Sequence, residues 1–420
     1  MKILMVNKFL YARGGAETYF LKIGSYLERL GHQVEYFGMY DEKNMVSNSA
    51  NEYTSHLDFH RAGIKRILYP IRIIYSFQAR KRVRKVIRKF EPDIVHLNNI
   101  NFQLTPSVIE EIHWHNIPMI QTVHDSQMIC PNHIMFNLFT KKPCDRCLKG
   151  SKWNCARYHC IHASRVKSVI GSIEALLYVK RKTYGLVDLF ICPSYFMEEK
   201  LRQAKHFSGK TAVLHNFIEL GNREGTDKKE DYILYFGRLS EEKGVGMFLN
   251  CCRKLPHIKV KIAGTGPLEH MCTGIPNVEF VGFKTGNELD TLIKKAKFSV
   301  YPSICYENCP LSVLESESLG TPVIASKLGG IPELIEDNET GILIEDINED
   351  NFTKEIDALY KDDRKIQMMS EKCIAKRTHM VSIEDYGNKM IEIYSQYINR
   401  RKDETGIHST PIEWAVDKRI

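Results

Sequence analysis

The sequence predicts a doubly wound α/β protein of two domains, and three observations carry that expectation. Short apolar runs recur, each followed by a stretch with helical spacing, the pattern of βα units whose parallel sheets are buried on both faces. The runs fall into an earlier and a later set, separated by a charged segment with glycines. The chain has 420 residues, more than one domain usually holds.

The first set of runs is "KILMV" (2–6), "QVEYF" (33–37), "DIVHL" (93–97), "PMIQTV" (118–123), "DLFIC" (188–192) and "TAVLH" (211–215). The second is "YILYF" (232–236), "KVKIA" (259–263), "VEFVG" (278–282), "FSVYP" (298–302), "PVIAS" (322–326) and "GILI" (341–344). Between them, "IELGNREGTDKKEDY" (218–232) has too little apolar content for an element. The expected organisation is therefore a first domain at 1–220, a linker at 221–231 and a second domain at 232–377. After 377, "VSIEDYGNKMIEIYSQYINRR" has helical spacing with no strand behind it. A terminal helix at 378–401 is expected to pack back toward the first domain, with 402–420 a charged, loose tail.

Hydrophobic content of 43% and charged content of 26% are ordinary for a globular protein, and a formal charge of +8 points to local patches. "MKILMV" is too short for the apolar core of a secretory leader, and no apolar run is long enough to span a bilayer. Twelve cysteines without a leader fit a reducing, cytoplasmic compartment.

Ligands of open parallel sheets bind beyond the carboxyl ends of strands. After the first run, Gly14 and Gly15 precede a helix, whose free N–H groups suit an anion, although such a pair is often only a turn. His124 and Asp125 follow "PMIQTV"; a histidine there is equally a structural hydrogen-bonder. After "YILYF", "GRLSEEKG" brings Arg238 and Lys243, which are either solvated cations or a clamp for a diphosphate. Gly264 opens the turn "GTGP" after "KVKIA".

"YPSICYENCPLSVLESESLGTPVIAS" (301–326) places Glu307 in a loop and Glu315 in the early turns of a helix begun by Pro310 and ended by Gly320. Leu311, Leu314 and Leu319 give that helix an apolar face, and acids are favoured near its N-terminus whatever their role.

Taken together, "FGRLSEEKG", "IAGTGP", the 301–326 segment and "GGIPELI", with "RGGAE" and "TVHD" earlier, resemble the retaining glycosyltransferases of family 4. The resemblance covers nearly the whole chain. It implies the GT-B fold, two facing Rossmann-like domains with a cleft between them, and a nucleotide-sugar donor. Arg238 and Lys243 would hold the donor diphosphate, Glu315 the ribose hydroxyls and Glu307 the sugar hydroxyls near the reacting centre. Amides at Asn308 and Cys309 would add contacts, Gly14, Gly15 and Gly264 would admit the donor, and His124 would orient the sugar or acceptor. The family needs no catalytic metal, and no DxD motif is well placed here. The implied activity is hexosyl transfer to a glycan or lipid-linked acceptor in capsule, exopolysaccharide or lipopolysaccharide assembly. Alternatives are another GT-B enzyme, a nucleotide-sugar epimerase or sugar phosphorylase.

Two features stand apart. A cysteine-rich insertion at about 130–162 holds Cys130 and the spacing Cys144, Cys147, Cys155, Cys160. The last four are candidate ligands of a structural zinc, and the competing reading is a set of reduced, buried thiols. Residues 64–90 are basic and amphipathic, with Arg80, Lys81, Arg82, Arg84, Lys85, Arg88 and Lys89 in "FQARKRVRKVIRKF". They read either as a solvated helix or as a peripheral contact with the anionic inner face of the plasma membrane. A zinc-dependent nucleic-acid binder is the remaining class; nothing in either domain's motifs calls for nucleic acid.

Overall fold

The computed structural model describes residues 1–55, 65–219 and 229–404. Most of the expected linker, the start of the basic segment and nearly all of the expected tail lie outside the described residues.

The first domain runs β1 (Lys2–Val6), α1 (Gly15–Arg29), β2 (Gln33–Phe37), α2 (Lys65–Ile74), α3 (Phe77–Phe90), β3 (Ile94–Leu97), α4 (Ser107–Trp114) and β4 (Met119–Thr122). An insertion follows with β5 (Phe136–Asn137), β6 (Lys142–Pro143), α5 (Arg146–Lys149) and α6 (Asn154–Arg157). Then come α7 (Arg165–Arg181), β7 (Leu189–Cys192), α8 (Tyr195–Gln203) and β8 (Thr211–Val213). The second domain is β9 (Ile233–Phe236), α9 (Val245–Lys254), β10 (Val260–Ala263), β11 (Val278–Gly282), α10 (Gly286–Lys295), β12 (Ser299–Tyr301), α11 (Leu311–Ser318), β13 (Val323–Ser326), β14 (Gly341–Ile344), α12 (Glu349–Tyr360) and α13 (Asp363–Lys376). The chain closes with α14 (Ile383–Glu404).

Each apolar run of the sequence is a strand of one of two parallel sheets. The first sheet has the order β2-β1-β3-β4-β7-β8 and the second β11-β10-β9-β12-β13-β14. Strands such as β4, β7, β9 and β13 are buried at every position, because helices cover both faces. The strand order reverses between β1 and β3 in one sheet and between β9 and β12 in the other, and these switch points are where such sheets open a crevice. The small hairpin β5–β6 is antiparallel and belongs to the insertion.

Local chemistry sets the helix ends. Ser76, Ser164 and Ser194 accept from the third amide of α3, α7 and α8, replacing a bond the first turn lacks. Pro310 lies just ahead of α11, where its missing N–H costs nothing.

The last helix belongs with the first domain. Ile383, Tyr386, Met390, Ile393, Tyr394 and Ile398 of α14 share one buried cluster with Ile3, Met5, Phe20 and Ile120. The Tyr386 and Tyr19 hydroxyls are 2.7 Å apart, Tyr394 Oη lies 2.6 Å from His96 Nδ1, and Arg401 reaches Asp188 at 2.9 Å.

The seven cations of 80–89 are less free than their spacing implies. Glu111, almost fully buried, accepts from Arg80 and Arg84, and Glu52 pairs with Arg82 and Lys85. Lys89 bonds the Ser49 carbonyl at 2.6 Å. Lys81 and Arg88 are exposed, with no ion-pair partner among the described residues.

Candidate active site

The second sheet's switch point carries the densest polar cluster. Lys243 follows β9, and its ammonium donates to both Glu307 oxygens, at 2.7 and 2.8 Å. Its third hydrogen-bond partner is Tyr301 Oη at 3.3 Å. Ser303 Oγ donates to Glu307 Oε1 at 2.6 Å. Burial alone would lower the Lys243 pKa, but the Glu307 carboxylate outweighs it and holds the ammonium well above its usual range. Burial and the same carboxylate push the neighbouring Cys305 thiol up to about 12. Lys243 and Glu307, read separately in the sequence, are thus one ion pair. Arg238 is exposed, with no hydrogen-bonded side-chain partner among the described residues, so it is the available cation of this loop.

Glycines bring these loops together. Gly264 has φ +146°, and a Cβ there would stand 1.9 Å from the Gly237 carbonyl, so the turns after β9 and β10 touch only if it is glycine. At Gly330 a Cβ would stand 1.9 Å from the Asn308 carbonyl, which locks "GGIPE" under the Glu307 loop.

Across the cleft, His124 follows β4 and its Nε2 lies 2.9 Å from Asn98 Oδ1. Burial drops its pKa to about 3, so the imidazole is neutral, and Tyr19 packs edge-on at 4.8 Å. Asp125 accepts from Asn101 at 2.7 Å, and Asn101 in turn accepts from Lys8 at 2.7 Å and contacts His133 Nδ1 at 2.7 Å. Gly14 precedes α1 in an extended conformation that any residue adopts. Gly15 faces the second domain, where a Cβ would stand 3.5 Å from Leu311 Cδ1. Glu17, buried in the first turn of α1, is raised by burial against the pull of Lys8 and its own backbone amide.

The two halves meet directly. Asn308 Nδ2 donates to the Val123 carbonyl at 2.6 Å, and Asn308 Oδ1 accepts from Ser194 Oγ at 2.6 Å. Each partner of the Asn308–Val123 bond adjoins a predicted site residue, Glu307 or His124. Asn216 donates to the Cys309 carbonyl at 2.9 Å, and burial pushes the Cys309 thiol up to about 12. Glu333 accepts from the Tyr195 and Phe196 amides at 2.8 and 2.7 Å and pairs with His215 at 2.9 Å, occupying the N-terminus of α8. Glu315 lines an interdomain pocket with Thr18, Tyr19, Lys22, Phe217 and Leu314.

The structure therefore gathers Arg238, Lys243, Glu307, Asn308, Cys309 and His124 around one cleft and seats Glu315 beside α1. Sequence reasoning missed Glu333 and the bonds by which Asn101 joins Asp125 to Lys8 and His133. "GGIPELI" did contain Glu333, but nothing local marked its partner.

The comparisons decide the family. A family model described as Glycosyltransferase Family 4 matches residues 13–222, half of the chain. This chain belongs to glycosyltransferase family 4. A second model, Glycosyl transferases group 1, matches residues 217–376 of the glycosyltransferase, the part holding Arg238, Lys243, Glu307 and Glu315. The enzyme is 34% identical over 148 residues to an uncharacterised glycosyltransferase, MJ1607, of Methanocaldococcus jannaschii; the match covers 33% of this chain and 38% of that protein. It is 35% identical over 127 residues to the amylovoran biosynthesis glycosyltransferase AmsK of Erwinia amylovora, covering 26% of this chain and 31% of that one. The chain thus matches well under half the length of either relative. Its fold is that of the Anabaena protein HepE solved with UDP, at TM-score 0.65 and 16% identity, over 94% of this chain and all of that one.

Proposed function

We propose that this glycosyltransferase moves a hexosyl group, with retention, from a nucleotide-sugar donor to a glycan or lipid-linked acceptor in surface-polysaccharide assembly. The observation that carries the reading is the Asn308–Val123 bond. It joins the Glu307 loop of one domain to the end of the His124 strand of the other, which supports a donor side and an acceptor side that face each other there. The UDP held by HepE and the amylovoran role named for AmsK support the donor and product classes.

The leaving group is a nucleoside diphosphate. Arg238 meets its developing charge, Lys243 contributes once the diphosphate competes with Glu307 for its ammonium, and Glu315 accepts from ribose hydroxyls. Glu307 accepts from donor-sugar hydroxyls, and neutral His124 donates or accepts at the acceptor side. The acceptor hydroxyl attacks the anomeric carbon from the leaving-group face. Its proton passes to a departing phosphate oxygen.

The acceptor side is read as lying at the cytoplasmic face of an anionic membrane. Exposed Lys81 and Arg88 with exposed Ile71 and Phe77 supply the contact. No helix among the described residues is long and apolar enough to cross a membrane.

The test is a thermal-shift screen against UDP, GDP, ADP and their sugars, followed by NMR assignment of the product anomer. A ligand that binds the folded state raises the melting temperature. Arg238→Ala should weaken nucleoside diphosphate far more than nucleoside. An inverted anomer, or equal losses for both ligands, overturns the reading.

A further inference from the structure

The insertion between β4 and α7 turns its cysteine side chains toward one small pocket. Cys130, Cys144, Cys147, Cys155 and Cys160 line it together with Arg146. None forms a disulfide. We propose that Cys130, Cys147, Cys155 and Cys160 are the ligands of a structural zinc ion that ties the insertion together beside the cleft.

The choice of four among five rests on position. Cys130, Cys147 and Cys155 are buried, and the Cys160 amide donates to the Cys155 carbonyl at 3.1 Å, so these two cysteines belong to one turn. Cys144 also lines the pocket, but it is only half-buried and its sulfur contacts the Arg146 guanidinium at 3.8 Å. This changes the set read from sequence spacing, where Cys144 took the place of Cys130.

A second observation is a buried cation beside the pocket. Lys152 is 2% exposed, yet it donates to the Ile129 and Cys147 carbonyls, at 2.6 and 2.9 Å, and to no carboxylate among the described residues. A buried ammonium needs an anion nearby. Four thiolates around Zn²⁺ carry a net charge of −2, which Lys152 and Arg146 would offset. Each thiol gives its proton to solvent on binding. Among the described residues no three His, Cys, Asp or Glu side chains are gathered on one metal centre, so binding draws the sulfurs inward by side-chain rotation.

The ion would stiffen a wall of the cleft. Lys141 of the insertion pairs with Glu241 beside the Lys243 loop at 2.6 Å. Asp145 pairs with Lys200 at 2.7 Å, and Lys200 lies over Tyr306, next to Glu307, at 4.8 Å.

The experiment is metal analysis of the full chain, purified without chelator from zinc-supplemented medium. The expected content is about one zinc per chain, lost in Cys130→Ser and Cys155→Ser and kept in Cys144→Ser and Cys373→Ser. Replacement by cobalt should give the absorption of a tetrahedral thiolate site, and a chelator should lower the melting temperature; both are read on wild type, so a poorly folding variant does not obscure the result. Zinc-free protein whose thiols titrate alike with and without chelator overturns the proposal in favour of a reduced thiol pocket. Loss of zinc in Cys144→Ser with retention in Cys130→Ser overturns the ligand set.

Discussion

Lys243 grips both oxygens of Glu307, at 2.7 and 2.8 Å, so the cation expected to hold phosphate and the acid expected to hold sugar neutralise each other. Glu307→Ala therefore does two things. It removes a donor contact, and it leaves a half-buried ammonium without its carboxylate, costing about 1–3 kcal/mol of stability. Glu307→Gln keeps a hydrogen-bond acceptor and should lose transfer with a smaller stability cost. Urea unfolding beside turnover separates the two effects, and equal stability of both variants with wild type would show that the pair does not hold the loop.

Asn308→Ala removes both side-chain bonds between the domains at this point, to Val123 and Ser194. About 1–2 kcal/mol of stability should go with them. Turnover should fall while nucleoside-diphosphate affinity stays near wild type, because the donor cations are untouched. Calorimetric binding and steady-state kinetics on the same preparation test it, and a parallel loss of both would place Asn308 in donor binding.

Glu174 on α7 is 4% exposed, has an oxygen with no hydrogen-bond partner among the described residues, and is pushed up to about 8 by burial. A folded-state pKa above the unfolded one means the native state holds the proton longer. Its contribution to stability is present below about pH 4.5 and is lost as pH rises toward 8, at about 1.4 kcal/mol per unit. Glu174→Gln should be nearly neutral at pH 5 and stabilising at pH 8. Denaturant midpoints at the two pH values check the sign, and identical differences at both would refute the shift.

The ion pairs of α3 split the basic helix into two groups. Arg80→Gln and Arg84→Gln should lower the melting temperature, since Glu111 is left buried without its partners. Lys81→Gln with Arg88→Gln should leave it unchanged and weaken sedimentation with anionic vesicles, most clearly at low salt. If wild type ignores such vesicles at low ionic strength, a soluble acceptor becomes the better reading.

The strands were legible because a parallel strand buried on both faces leaves a continuous apolar run, as "LFIC" and "ILYF" do. The site's location was legible too, since polar residues at strand ends mark a crevice. What stayed hidden is long-range pairing. Glu333 reaches amides more than a hundred residues away, and Glu52 and Glu111 neutralise cations about thirty residues distant. Such partners share no period and no local turn chemistry. The cysteine spacing left Cys130 out of the four for a related reason: it is distant in sequence, yet it lines the same pocket as Cys144, Cys147, Cys155 and Cys160.

The seat of α14 has a consequence for biosynthesis. Ile3 and Met5 at the start of the chain are covered by Tyr386, Met390 and Tyr394 near its end. The domain that leaves the ribosome first is thus the last to be completed, with an apolar trough open until the rest has been made. During that interval the nascent chain offers a sticky surface to chaperones, and a message truncated before α14 would yield a protein with an intact donor domain and an unfinished partner.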